Sequence, residues 1–216
     1  MKHRFKIIVT DILVIAFAIL FPHFGGLPMF AFPFVVLGLI WLYLRLHKQN
    51  FSSIGFKFSD INVRAFLIGG SIGIAYAVFA YWVLGPLLEY IGFKPANVSD
   101  FAYLRHNFKS YVSLVILASV LVIPFEEIVF RGFIFSKIKD WFGLSPRAFI
   151  ISAIASSILF AAYHYQEGVG AMTGIFIFSL FEMWLYKIFK GNLWYLIFFH
   201  ILYDVFMLGA IWQAYM

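Results

Sequence analysis

The sequence predicts an all-α protein, a polytopic transmembrane helix bundle of about seven to eight spans enclosing a polar cavity. Three observations carry this. Of 216 residues, 63% are hydrophobic and 22% aromatic, only 12% are charged, and mean hydropathy is +0.93. A soluble domain is roughly half apolar and a quarter charged. Apolar runs near the roughly 20 residues needed to cross a bilayer recur along the chain. Ionisable residues interrupt the later runs, and at bilayer depth these are costly and default to function. The net charge of +6 is spread over loops flanking the apolar runs, which argues topology and against nucleic acid. With no cysteine there is no disulfide and no thiolate chemistry.

Seven segments qualify, at about 7–21, 27–44, 65–91, 110–130, 148–165, 169–187 and 192–213. The first is short, and its basic start (Met1 to Lys6) resembles a signal peptide. Phe21-Pro22-His23-Phe24 offers no small-residue cleavage site, so the segment reads as an anchor. Phe51 to Phe58 is too polar to span and reads as interfacial. An N-terminus inside places 13 of the 16 basic residues on the inner side, leaving Lys94, Arg105 and Lys109 outside. This is the pattern of an integral membrane protein with a cytoplasmic N-terminus, and the short spans suit a bacterial plasma membrane. An eighth span hidden in 65–91 would reverse the C-terminal side. Gly69-Gly70-Ser71-Ile72-Gly73 matches a nucleophile-elbow string, but that elbow needs a strand-to-helix turn. Gly69 and Gly73 read as a helix-packing notch. No repeat or linker divides the chain, so residues 1–216 are read as one transmembrane domain, with a core at 110–213.

The core carries the polar groups. Glu126 and Glu127 are adjacent within Ile123-Pro124-Phe125-Glu126-Glu127-Ile128-Val129-Phe130-Arg131. Arg131 lies four residues after Glu127, on the same helical face, so it answers that carboxylate and leaves Glu126 as the reactive candidate. His164 closes Phe160-Ala161-Ala162-Tyr163-His164, and His200 and Asp204 share a face at i, i+4. Three helices each bring polar groups that only the bundle interior can satisfy. A buried carboxylate can take a proton from water, and a histidine can orient that water or stabilise an oxyanion. The same four residues, Glu126, His164, His200 and Asp204, could instead hold zinc. The soluble string His-Glu-x-x-His is absent, so spacing demands no metal. Asp11 reads as solvated near the inner face, and Glu89 and Glu182 as structural neighbours of Lys94 and Lys187.

These strings match E-E-x-x-x-R (Glu126, Glu127, Arg131), F-x-x-x-H (Phe160, His164) and H-x-x-x-[N/D/S] (His200, Asp204), in that order. The set resembles the CAAX-protease and bacteriocin-processing (Abi) family, which includes the Ras-converting CAAX prenyl endopeptidase. The resemblance implies an intramembrane endopeptidase with a catalytic cavity, acting on a membrane-embedded or lipidated peptide. It implies Glu126 as general base, His164 as water holder, His200 and Asp204 on the oxyanion side, and Glu127 and Arg131 as a supporting pair. It implies chemistry without a cofactor; the zinc version keeps the same residues. The best-studied members have asparagine where this chain has Asp204, and an ionised aspartate cannot donate to an oxyanion. The rivals are a catalytically silent member acting as a membrane binding or immunity protein, and a transporter or proton pathway. One geometric tension stands: at 1.5 Å per residue, His164 lies roughly 25 Å along its helix from Arg147 but His200 only about 12 Å from Asn192.

Overall fold

The computed structural model describes the chain except Met1, Met29, Leu144 and Met216, and the side chains of Lys2 and His3; the basic start read in the sequence lies partly outside the described residues. Seven helices make up the bundle: α1 (Lys2–Phe24), α2 (Phe32–Leu46), α3 (Val63–Tyr90), α4 (Phe108–Phe142), α5 (Pro146–Tyr163), α6 (Val169–Ile188) and α7 (Leu193–Trp212). Among the described residues six are long and apolar enough to cross a membrane, and α2, at 15 residues, is shorter. The 65–91 stretch lies on one helix, Val63–Tyr90, so no eighth span hides there. Large side chains such as Phe34, Trp82 and Val120 stand exposed around the bundle, as a hydrocarbon solvent permits.

Helix boundaries follow local chemistry. Asn62, Asn107, Ser145 and Asn192 each accept a backbone N–H from the first turn of the helix they precede, satisfying donors that have no intrahelical partner. Gly69 and Gly73 are the notch the sequence suggested. A Cβ at either would collide with the carbonyl oxygen of Tyr195 or Phe199, so α3 and α7 meet almost backbone to backbone.

The longest helix carries the polar motif and is irregular. Pro124 has no N–H, and its ring crowds the preceding turn; a π-helical turn at Ala118–Val122 absorbs it. A second π stretch, Glu127–Ile134, spans the rest of the motif. At 35 residues α4 is about 50 Å long, well beyond a roughly 30 Å hydrocarbon core.

That overhang accounts for part of the geometric tension. Phe149, near the start of α5, packs on Phe135 with ring centroids 5.1 Å apart, whereas the start of α7 at Leu193 faces Gly132, a turn nearer the motif. Helix α5 therefore begins about a turn farther out than α7, and both histidines reach Glu126.

Asp11 corrects a sequence reading. It is 1% exposed, not solvated. It accepts the Tyr43 hydroxyl and, at 2.7 Å, the Trp141 indole N–H, tying α1 to α2 and to the end of α4.

Candidate active site

Adjacent residues on a helix point about 100° apart, so Glu126 and Glu127 face different surroundings. Glu126 lines a cavity of about 1050 Å³ that also takes in His164, His200, Asp204 and Glu167. One Glu126 oxygen lies 3.9 Å from His164 Nε2 and the other 3.8 Å from His200 Nε2. Asp204 Oδ1 lies 3.7 Å from the same His200 nitrogen. These separations exceed a hydrogen bond. The structure thus gathers all four sequence candidates around one space.

The far ring nitrogens are engaged. His164 Nδ1 lies 2.9 Å from the Phe160 carbonyl oxygen, which can only accept, so Nδ1 carries the proton and donates. His200 Nδ1 lies 2.8 Å from Glu127 Oε1 and is assigned as donor on the same ground. Phe160, the first residue of the F-x-x-x-H string, packs edge-on to His164 at 4.7 Å between centroids. Both rings are held with Nε2 toward Glu126.

Behind the cavity face lies a closed network. Glu127 and Arg131 are fully buried, with Arg131 Nη1 3.5 Å from Glu127 Oε1. Arg131 also donates to Glu182 on α6, likewise fully buried, and its guanidinium lies over the Phe160 ring at 3.9 Å from the centroid. Glu182 is the residue that sequence reasoning missed. It does not answer Lys187; it completes the clamp on Arg131. Nothing in its local sequence distinguishes it, and only its place in the middle of an apolar helix could have marked it.

Two carboxylates against one guanidinium is a costly buried set, and among the described residues Glu127 Oε2, Glu182 Oε1 and Arg131 Nε and Nη1 find no hydrogen-bond partner. Glu127, Glu182 and His200 also offer ligand atoms within 4.8 Å of one another. Arg131 donates to Glu182 and lies 3.5 Å from Glu127, so a metal there would meet a fixed positive charge; this trio does not suit a cation.

Glu167, on the turn between α5 and α6, also lines the cavity. Burial pushes its carboxyl from the usual 4.5 up to about 7, and the negative charges of Asp204 and Asp100 push the same way. Its backbone N–H bonds the His164 carbonyl at 3.0 Å, and its own carbonyl accepts from the Asn97 N–H at 2.9 Å, closing the turn that carries His164.

Among known families, residues 108–206 match the model described as type II CAAX prenyl endopeptidase Rce1-like. The match spans just under half of the 216 residues and takes in all three motif strings, so the CAAX-protease resemblance read in the sequence is borne out there. No curated protein and no solved structure matches the chain.

Proposed function

We propose that the protein is an intramembrane endopeptidase in which Glu126 activates water against a peptide bond of a membrane-embedded or lipidated peptide. The observation that carries this is the gap of 3.8–3.9 Å between Glu126 and the two imidazole Nε2 atoms, which a bridging water fits. His164 Nε2, unprotonated while Nδ1 bonds Phe160, accepts one water hydrogen. Glu126 accepts the other as the water oxygen attacks the carbonyl carbon. Glu126 then returns that proton to the leaving amine nitrogen as the C–N bond breaks. His200, doubly protonated, donates from Nε2 to the oxyanion, with Glu127 balancing the ring's charge from behind. Asp204 acts on His200 rather than on the oxyanion, since an ionised carboxylate has no proton to give.

The family match supports the reaction class. In this reading the catalytic core is 110–213, within one transmembrane domain at 1–216. A cavity of about 1050 Å³ has room for a peptide as well as water.

A zinc version keeps a specific observation in its favour. In both histidines Nδ1 faces an oxygen acceptor, the usual arrangement behind metal-bound imidazoles, and with His200 neutral instead of doubly protonated both Nε2 atoms would be open to a metal. Glu126, His164, His200 and Asp204 would hold the ion, which supplies a bound water acidified toward neutral pH. The glutamate reading is preferred because it leaves Glu126 free to act as the base.

The test is turnover of a fluorogenic lipidated peptide by purified protein in nanodiscs, with and without a chelator. Glu126→Gln, His164→Ala and His200→Ala are each expected to lose about 10²–10⁴-fold while remaining folded, and the chelator to leave the wild type unchanged. Normal cleavage by Glu126→Gln sinks the mechanism, and chelator inactivation reversed by zinc turns it into the metal version.

A further inference from the structure

A second cavity, of about 320 Å³, lies at the opposite end of α4 from the motif's entry into the bundle, between α1, α2 and the last turns of α4. Its walls include Arg4, Asp11, Tyr43, His47, Lys137 and Asp140. We propose that it binds the phosphate of an anionic phospholipid headgroup.

The argument starts from Lys137, which is 5% exposed. A buried ammonium requires a counter-charge or a full set of acceptors. Its nitrogen donates once, to Gln49 Oε1 at 2.8 Å, and otherwise meets only the faces of Tyr43 and Phe133, at 5.2 and 5.8 Å. Among the described residues no carboxylate comes within the 4.0 Å of an ion pair. The two acids in the cavity act on it through space without pairing with it. Asp11 has one oxygen bonded to Tyr43 and the other to Trp141. Asp140 is exposed to solvent.

The remaining donors are on Arg4. It spends one N–H on the Trp141 carbonyl at 2.9 Å and has others free to turn inward. His47 is not among the free donors, since its Nδ1 donates to the Tyr43 carbonyl at 2.8 Å and its Nε2 is then an acceptor. The cavity therefore holds unused donors around a buried cation, and a phosphate supplies several acceptor oxygens together with negative charge. A lipid is the source because of where the cavity sits. Its walls carry Ile7 and Ile8, and the outward faces of the same helices expose Phe5, Ile12, Trp41 and Leu46. A headgroup in the cavity leaves acyl chains along this apolar surface. Arg4 and Lys137 stand beside Asp11 and Asp140 in the cavity walls, so the headgroup is held by their free N–H groups rather than by an excess of positive charge.

Native mass spectrometry of the delipidated full-length protein, titrated with dioleoyl-phosphatidylglycerol, dioleoylglycerol and inorganic phosphate, tests this. One phosphatidylglycerol is expected to bind, well ahead of the uncharged diacylglycerol. Lys137→Gln should weaken it by about tenfold or more, the scale of one charge-assisted hydrogen bond. Arg4→Gln, an exposed change with little risk to folding, should weaken it several-fold, and Arg45→Gln, outside the cavity, should not. Equal retention of diacylglycerol, or unchanged binding in Arg4→Gln and in folded Lys137→Gln, overturns the site. Saturation by inorganic phosphate that displaces the lipid overturns the lipid as its occupant.

Discussion

Glu126 and Glu127 share a peptide bond and almost nothing else. Glu127 is sealed, bonded to His200 at 2.8 Å and braced by Arg131, itself clamped by Glu182. Glu126 faces a large cavity, with its nearest polar neighbours at 3.8 and 3.9 Å. One helical step separates a carboxylate committed to holding its neighbours from one left with room for a reactant. Residue type did not assign these roles; the rotation of α4 did.

The contrast can be broken at its buried side first. Arg131→Met leaves two buried carboxylates without their cation, and should destabilise the fold by about 3–5 kcal/mol, read as a fall in melting temperature. A triple change that also makes Glu127→Gln and Glu182→Gln should recover much of that loss, because no uncompensated charge remains. If the single variant melts like wild type, the network does not hold the bundle.

A second, smaller effect tests the frame that carries His200. Gly73→Ala puts a methyl group on the Phe199 carbonyl and forces α3 from α7, at a cost of about 1–3 kcal/mol. Turnover should fall with it, since α7 carries both His200 and Asp204. Gly38→Ala, where a Cβ meets nothing within 4 Å, should leave both unchanged.

The smallest effect is electrostatic. Glu167 has its folded-state carboxyl raised to about 7 from 4.5, chiefly by burial. The fold favours the protonated acid, so the stability tied to it is fully present below about pH 4.5 and is lost as pH rises through about 7. Glu167→Gln should flatten this part of the melting-temperature profile between about pH 4.5 and 7, and a profile identical to wild type would contradict the assignment.

Much of this was legible in the sequence. Long apolar runs gave the spans, because a bilayer demands length and little else. The i, i+4 spacing gave the Glu127–Arg131 pair, and the glycine pair gave the α3–α7 contact. Glu182 and Asp11 were not legible, because their partners, Arg131, Tyr43 and Trp141, lie on other helices. Sequence spacing reports neighbours along one helix and is silent across a bundle. The relative depths of His164 and His200 failed similarly: the overhang of α4 and α5 is set by packing, which the hydropathy of either segment alone does not encode.

The account turns on the division of labour between the two adjacent acids. The direct measurement is turnover and melting temperature, side by side, for Glu126→Gln and Glu127→Gln in nanodiscs. Glu126→Gln should melt at or above the wild-type temperature with cleavage lost, and Glu127→Gln should melt lower, with activity reduced in step. Cleavage surviving in Glu126→Gln, or the two variants behaving alike, would contradict it.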